Sequence, residues 1–249
     1  MRRATRPSGS TRRLYSLSLL LLLGPITTPA TALAPLEGPA GAAPNAPWIF
    51  AGLPGQSIPA THFTLAHVEG RFALRIETAG SYGNLIHPLG NVNAGVLSWR
   101  WRVDQALTAS NLSTREGDDA ALKVCALFDL PRAAVPFLER QLLRLAEART
   151  GTPLPNATVC YVWDAAWPAN TVIPNAYSRR VRYVTLGSAP GTWQSVRRDL
   201  SADFLRAFGE ESTSVPRLLA VAVGADADNT GGRSLGYITD LELTPGASR

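Results

Sequence analysis

The stretch GVLSWRWRVD, residues 95–104, decides the fold. Trp99 and Trp101 alternate in it with Arg100 and Arg102. Successive side chains of a β-strand point to opposite faces, so this period of two predicts a strand with one apolar and one charged face. Because tryptophan side chains are mostly buried in folded proteins, we expect a packed layer against the apolar face.

The same alternation runs through most of the chain. It recurs in residues 71–80, RFALRIETAG, and in residues 118–129, DDAALKVCALFD. Further runs fit strands, namely ATVCYVWD, RVRYVTLG, TWQSVRRDL, PRLLAVAVGAD and LGYITDLELT. With additional strands between His62 and Pro88, the series comes to about ten short strands, which is typical of a sandwich or barrel. We therefore predict an all-β fold, a single jelly-roll-like antiparallel β-sandwich.

Two short helical insertions interrupt the predicted strands. VPFLERQLLRLAEART, residues 135–150, has a proline near its first turn and places Leu138, Leu142 and Leu145 at helical spacing. SADFLRAFG begins at Ser201, a predicted N-cap, and ends at a glycine. We expect the first insertion to cover a sheet edge or the rim of a cleft.

Residues 1–34 are expected to be a secretory signal peptide. Arginines without acidic residues come first, followed by the apolar run Leu17–Leu23 and by small residues, with cleavage expected after Ala32. The apolar run is too short to cross about 30 Å of hydrocarbon, so we expect no stable membrane anchor after cleavage. The sequence therefore predicts a periplasmic or secreted protein.

The remainder of the chain divides into two parts. Residues 35–60 are rich in proline, which indicates a tether leading into the folded domain. Residues 61–245 contain no internal repeat and no second linker, so we predict one β-sandwich domain over this range.

Removal of the signal peptide changes the net charge. The full chain has 24 basic and 19 acidic residues, and five arginines lie within residues 1–34. The mature protein is thus near neutral and lacks the broad positive field with which proteins bind phosphate backbones. We expect no nucleic acid among its partners.

Cys125 and Cys160 are the only cysteines of the chain. Outside the cytosol thiols are free to oxidise, so we predict a disulfide between them. Both lie in apolar runs, and two buried free thiols are the alternative.

Six motifs occur in one order over about residues 60–243: LSWRWRVD, DDAALKVCALFD, YVWD, VIPNAYSRRVRYVTLGS, GTWQSVRRDLSADFLRAFGE and VGADADNTGG. With its W-x-W-x-V, Y-V-W and D-A-D-N-T patterns, the chain resembles a family of exported bacterial proteins of unknown function. The resemblance implies an exported β-fold and no particular mechanism. The chain departs from the family pattern at Lys123, where arginine is expected, and at Cys125. The closing GYITDLELT also resembles the last strand of galactose-binding-type jelly rolls, where an acidic residue often lies near a structural calcium.

The loop after the apolar run at 218–223 is the first candidate site. Asp226, Asp228 and Thr230 alternate and are followed by two glycines, as in loops that direct oxygen ligands to calcium. Calcium is therefore a possible cofactor, and a direct ligand contact that includes Asn229 is an alternative. A plain turn is a third explanation, because Asp and Asn side chains bond their own backbone in turns.

The charged face of residues 95–104 is the second candidate site. We expect Arg100 and Arg102 to engage acidic side chains, and Lys123 to stand on an interior strand of the same sheet. Asp119 and the acidic loop could supply the carboxylates, because arginine forks bind carboxylates with two hydrogen bonds. The resulting network could hold the sheet together or bind a sugar acid or another hydroxylated ligand.

Aromatic side chains offer a third kind of contact, because their faces stack on sugar rings. Most of them should lie in the core. Trp167 lies in the predicted loop DAAWPANTVIPNAY, so we expect it to be exposed and to contact a ligand.

The sequence has neither the H-E-x-x-H nor the C-x-x-C pattern that some classes of enzyme carry. We therefore expect a non-enzymatic module that binds carbohydrate or another polyhydroxylated ligand of the cell envelope. One alternative is a carboxylate-dependent glycosidase or polysaccharide lyase on a lectin-like sandwich, which needs two suitably spaced acids. The other is a structural envelope scaffold in which the ion network serves stability alone.

Overall fold

The computed structural model describes residue 1 and residues 33–53, 55–151, 153–187 and 189–247. The predicted signal peptide falls mainly on residues 2–32, which lie outside the described residues. Neither α-helix in the described part of the chain is long and apolar enough to cross a membrane.

The described residues form twelve strands and two α-helices. The strands are β1 (Ile49–Ala51), β2 (His62–Val68), β3 (Arg71–Ala79), β4 (Tyr82–Val92), β5 (Val96–Gln105), β6 (Lys123–Phe128), β7 (Ala157–Val162), β8 (Val172–Pro174), β9 (Val181–Thr185), β10 (Gln194–Asp199), β11 (Leu218–Asp226) and β12 (Arg233–Thr244). The helices are α1 (Phe137–Thr150), between β6 and β7, and α2 (Leu200–Phe208), after β10.

The strands form two sheets. One has seven strands in the order β1-β4-β11-β6-β7-β9-β8, and the other has five in the order β10-β5-β12-β3-β2. Neighbouring strands are antiparallel except for β7 and β9, which are parallel. The fold is therefore a β-sandwich of the jelly-roll type with two short helices, as the sequence predicts.

The core lies between the two sheets and takes alternate residues of each strand. Trp99 and Trp101 of β5 are at most 1% exposed, and Tyr161 of the other sheet is fully buried. The rings of Trp99 and Tyr161 lie 5.2 Å apart, centroid to centroid, across the sheet interface. The tryptophans, whose burial the sequence predicts, thus pack the two sheets together, because large rings remove the most apolar surface from water.

Helix α1 presents its predicted leucine stripe to solvent. Leu138, Leu142 and Leu145 are all exposed, whereas Leu143 joins the core. The helix is inserted between two strands as predicted, but the spacing of its leucines does not mark the buried face.

Helix α2 packs on the core through Phe204 and Phe208. Its N-cap is Asp199, whose carboxylate accepts hydrogen bonds from the backbone N–H groups of Ser201 and Ala202. Ser201 therefore lies inside the first turn, and the N-cap predicted at Ser201 is wrong by two residues. The reason is that Asp199, at the end of β10, already offers a side-chain acceptor to the free N–H groups.

The proline-rich segment over residues 35–60 packs in part against the sandwich. Leu36 and Trp48 are buried, and the indole N–H of Trp48 donates to the carbonyl of Ala34 at 3.0 Å. Strand β1 follows Trp48 and pairs with β4 at the edge of the seven-stranded sheet. This segment therefore supplies an edge strand as well as a connection.

Cys125 and Cys160 form a disulfide, as predicted. They face each other in the register of β6 and β7, with Cα atoms 4.0 Å apart. Because residues on either side of Cys125 belong to the core, the disulfide lies on the other, outer face of the seven-stranded sheet. A second apolar cluster surrounds it there and forms the base of the candidate site.

Candidate functional site

A cavity of about 540 Å³ lies on the outer face of the seven-stranded sheet. Its strand residues occupy alternate positions of β4, β6, β7, β9 and β11: Tyr82, Asn84, Ile86, Lys123, Cys125, Leu127, Thr158, Cys160, Val181, Tyr183, Ala222 and Asp226. Connecting segments supply the rest of the wall: Leu53, Asp118, Pro155, Asn175, Tyr177, Asp228 and Asn229. The cavity thus has a base of strand residues and sides made by loops.

A buried ion pair occupies one part of this wall. Lys123 Nζ donates to Asp226 Oδ2 at 2.9 Å, and each side chain is 6% exposed. The second oxygen of Asp226 accepts the backbone N–H of Ala120 at 2.9 Å, and Nζ lies 5.1 Å from the ring centroid of Tyr82. Burial by itself would lower the pKa of Lys123, but the carboxylate of Asp226 outweighs it and raises that pKa. The lysine is therefore charged at neutral pH and is the cationic partner of Asp226.

Asp118 is a buried carboxylate with one oxygen free of hydrogen bonds. Its Oδ2 accepts from Asn175 Nδ2 at 2.6 Å, whereas Oδ1 is shielded from solvent and has no donor among the described residues. Burial raises the pKa of Asp118 to about 6, and repulsion from Asp226 adds to the rise. Tyr183, Asn175 and Lys123 oppose it. The carboxyl group is thus mostly ionised at pH 7 and takes up a proton in mild acid.

Asp228, on a neighbouring loop, also has a carboxylate oxygen without a hydrogen bond from the described residues. Its Oδ1 is also shielded and also lacks a donor in the part of the chain that the structure describes. Burial raises the pKa of Asp228, and the charges of Asp226 and Asp119 raise it further. Asp118 and Asp228 of the cavity wall therefore each have one carboxylate oxygen that accepts no hydrogen bond from a described residue.

Asp119 has a different role from its neighbour Asp118. It is fully buried, and its two oxygens accept from the backbone N–H groups of Asn229, at 3.1 Å, and Thr230, at 2.7 Å. The hydroxyl of Thr230 donates to the same carboxylate at 2.5 Å. Asp119 therefore fixes the loop that carries Asp228 and Asn229, and it does not itself belong to the wall.

The rim of the cavity joins three loops. The hydroxyl of Tyr177 donates to Asn229 Oδ1 at 2.7 Å, and the guanidinium of Arg115 lies 5.3 Å from the centroid of the Tyr177 ring. Tyr177 is 56% exposed, so one face of its ring remains open at the mouth of the cavity. An exposed tyrosine at such a mouth can stack on an apolar ligand face.

The two arginines of the opening stretch lie on the opposite side of the molecule. Because Trp99 and Trp101 fill the core, Arg100 and Arg102 point from the outer face of the five-stranded sheet. The prediction that Lys123 shares their sheet is wrong, since β6 pairs only with strands of the seven-stranded sheet.

Arg102 does engage acids, as predicted, but they are Glu69, at 2.5 Å from its Nη1, and Asp104. No carboxylate of the described residues lies within ion-pair distance of Arg100. Neither arginine contacts the acidic loop, so a single network that unites the two predicted sites does not form.

Trp167 lies near the cavity but outside its wall. It is partly buried and packs against the cluster around Cys125 and Cys160. Its backbone N–H donates to Asp164 Oδ1 at 3.0 Å. The loop is where the sequence places it, but the ring packs on the protein.

The residues proposed to bind calcium do not fit a cation site. Asp226 is bonded to Lys123, and the hydroxyl of Thr230 donates to Asp119, so only Asp228 of the three keeps a free oxygen. Calcium requires six to eight oxygen ligands. No group of three or more candidate metal-binding side chains occurs among the described residues.

Several further residues line the wall that the sequence did not indicate, namely Tyr82, Asn84, Asn175 and Tyr183. Tyr82 and Asn84 could have been found, because they occupy alternate positions of one strand and so share a face. Asn175 and Tyr177 lie in a loop, where no periodicity indicates the direction of a side chain.

Comparison with known proteins gives a family and a set of distant structures. A family model described as "Protein of unknown function (DUF3047)" matches residues 46–242. No curated protein matches the chain.

Three solved structures illustrate the likeness in fold. The xyloglucanase domain of NopAA, a type three effector from Sinorhizobium fredii, in complex with cellobiose, is 10% identical with a TM-score of 0.41, over 84% of this chain and 99% of that one. Endoglucanase 3 of Trichoderma harzianum, from family GH12, is 10% identical with a TM-score of 0.38, over 80% and 99%. The endoglucanase cel12A of Rhodothermus marinus is 12% identical with a TM-score of 0.38, over 80% and 96%.

Proposed function

We propose that this chain, which belongs to the DUF3047 family of proteins of unknown function, is a non-enzymatic module that binds a carbohydrate or another polyhydroxylated ligand. The binding site is the cavity on the outer face of the seven-stranded sheet. Its volume of about 540 Å³ is within the range of small-molecule sites.

The observation that carries this proposal is the pair of unused acceptors in the wall. Oδ1 of Asp118 and Oδ1 of Asp228 are both shielded from solvent, and neither has a donor among the described residues. A buried acceptor without a partner costs about 1–3 kcal/mol, so a ligand whose hydroxyl or amine donors meet these oxygens, once either carboxyl group turns toward the cavity, recovers this free energy on binding. A polyhydroxylated molecule carries such donors at many positions.

The rest of the wall suits the same class of ligand. The amide of Asn84, which gives one N–H to the hydroxyl of Tyr82, can still donate and accept, and the ring of Tyr177 is open at the rim. A sugar ring presents hydroxyl groups at its edge and C–H groups on its faces, so it can use amides and an aromatic face together. The apolar base around the disulfide gives such a ring a surface to pack against.

A glycan array probed with the purified protein tests the proposal. We expect binding to a restricted set of glycans, and we expect Asp228→Asn to abolish it. Asp129→Asn is the matched control, because Asp129 is exposed and follows the far end of β6. A blank array would favour the alternative of a scaffold whose ion pair serves stability alone. Binding that survives Asp228→Asn would place the ligand outside this cavity.

A carboxylate-dependent glycosidase or lyase is a second candidate, favoured by the titration of Asp118. Its pKa of about 6, raised by burial, allows the protonated form that a general acid needs to be present in mild acid. Asp228 would be the second carboxylate. Incubation with soluble polysaccharides, followed by measurement of new reducing or unsaturated ends, separates the two functions. Product formation that Asp118→Asn abolishes would replace the binding module with an enzyme.

The place of action that we propose is the periplasm or the extracellular space. The disulfide between Cys125 and Cys160 supports it, since disulfides persist mainly outside the reducing cytosol. N-terminal sequencing of the protein recovered from its native host should begin at Leu33, directly after Ala32. Recovery from the cytosol with residues 1–32 still attached would contradict export.

A further inference from the structure

The charges of the cavity wall do not cancel. The wall contains three aspartates, Asp118, Asp226 and Asp228, and one lysine, Lys123. The ammonium of Lys123 is bonded to Asp226 at 2.9 Å and so neutralises that carboxylate. Neither Asp118 nor Asp228 has an ion pair with a described residue. Two carboxylates therefore face the cavity without a cation of the protein to balance them.

We propose that the preferred ligand carries a protonated amine beside its hydroxyl groups, as an amino sugar does; this inference rests on the proposed function and names the ligand class of the same site. An ammonium donates up to three hydrogen bonds, so it can bond to Asp118 and Asp228 once their carboxyl groups turn toward the cavity, and its charge balances theirs. Hydrogen bonds between charged partners are about twice as strong as those between neutral ones. A neutral sugar would satisfy the same acceptors but would leave their charges uncompensated in a site that it closes from water.

Positive groups near the mouth do not reverse this preference. Arg115 is exposed, stacks on the ring of Tyr177 and donates through Nε to the carbonyl of Ala176 at 3.2 Å. Its charge is screened by solvent and lies at the rim. A sugar acid would therefore meet two carboxylates inside and only a screened guanidinium outside. The expected order of affinity is amine first, neutral sugar second and sugar acid last.

The pH dependence of ligand affinity provides an independent test of this inference. The groups that act on Asp118 are Asp226, Lys123, Tyr183 and Asn175, and Asp228, whose pKa burial also raises, shares the cavity wall. Burial places the pKa of Asp118 at about 6, so at pH 5 the folded protein holds a proton there that a bound ammonium must displace. Affinity for the amine should fall as the pH drops through 6, while affinity for a neutral sugar should fall far less.

The test compares three disaccharides that share one linkage and differ mainly at one substituent: the β-1,4 disaccharide of glucosamine, its N-acetylated form, and cellobiose. Titration calorimetry on the purified protein at pH 7 should give an affinity for the glucosamine form at least about tenfold higher, the factor expected of one charge-assisted hydrogen bond. The advantage should shrink at pH 5. It should also be lost in Asp228→Asn and kept in Asp129→Asn.

The outcomes separate this inference from the proposed function. Equal or tighter binding of cellobiose or of the N-acetylated form would overturn the amine preference and leave a carbohydrate-binding site in place. Failure of all three to bind would also overturn it, and the proposed function would fall as well only if the wider glycan array were blank. Asp118→Asn repeats the test at the second carboxylate, with the urea midpoint of each variant as the check on folding.

Discussion

Lys123 Nζ and Asp226 Oδ2 lie 2.9 Å apart, joining β6 to the end of its neighbour β11 on the outer face of the seven-stranded sheet. This pair accounts for Asp226, the acidic residue with which β11 ends. Asp119 fixes the part of the loop that follows, which leaves Asp228 free to face the cavity. The crowded acidic sequence therefore combines one structural carboxylate with one that is available to a ligand.

Removal of one partner from this pair should destabilise the fold strongly. Asp226→Ala leaves the ammonium of Lys123 buried without a counter-charge, for which the expected loss in unfolding free energy is about 3–5 kcal/mol. Urea denaturation measures it. Lys123→Met combined with Asp226→Ala should recover part of the loss, because neither charge then remains buried.

Arg71 and Asp240 provide a matched surface pair, 3.7 Å apart with side chains 43% and 50% exposed. Arg71→Ala should cost less than about 1 kcal/mol, since exposed pairs contribute little. If Asp226→Ala proves no more costly than Arg71→Ala, the buried pair is not the stabilising contact described above.

The disulfide should contribute measurably to stability. Cys125 and Cys160 are 35 residues apart, and closing a loop of this length gives about 3–4 kcal/mol by the chain-entropy estimate. The double variant Cys125→Ala/Cys160→Ala should lower the urea midpoint accordingly. Dithiothreitol should lower the midpoint of the wild-type protein and leave that of the variant unchanged; no response in either would argue against the bond.

Asp118 should make the protein more stable in mild acid. Its pKa of about 6 in the folded state exceeds the ordinary value of 3.8, so the folded state holds the proton more tightly between these pH values. Stability therefore falls as the pH rises from about 4 to 6, by up to about 3 kcal/mol from this group at 1.36 kcal/mol per pKa unit. Asp228 acts in the same direction.

The difference between wild type and Asp118→Asn isolates this contribution, because other groups titrate alike in both proteins. Urea denaturation at pH 4.5 and pH 7 should show the wild type gaining stability relative to the variant at the lower pH. A constant difference between the two proteins would mean that Asp118 has an ordinary pKa.

Calcium should not stabilise the protein. Asp226 and Thr230 already bond to Lys123 and Asp119, so the loop lacks the free oxygens that calcium requires. We expect the same Tm in millimolar calcium and in EDTA. A calcium-dependent rise in Tm that Asp228→Asn removes would restore the metal site, because any ligand that binds only the folded state must raise Tm.

Strand faces were predictable from the sequence, and sheet partners were not. Alternation assigns Trp99 and Trp101 to one face of β5 and Lys123 to the outer face of β6, as found. It carries no information on which strands pair. The arginines of β5 and Lys123 therefore looked like neighbours, although β5 pairs with β10 and β12 in the other sheet.

The candidate site was predictable to a similar degree. Asp226 and Asp228 could be found because carboxylates follow a continuous apolar run, where the end of a buried strand meets solvent. Asn175 and Tyr177 reach the cavity from a loop whose course depends on contacts with Asp118 and Asn229. Those contacts join segments more than 50 residues apart, so local patterns cannot reveal them.

Titration calorimetry with a glycan selected on the array tests the central claim most directly. The wild-type protein and Asp129→Asn should bind it equally, and Asp228→Asn should lose at least about tenfold in affinity, the equivalent of one strong hydrogen bond. Equal affinity in all three proteins would contradict the account, because it would place the ligand outside the cavity that Asp118 and Asp228 line.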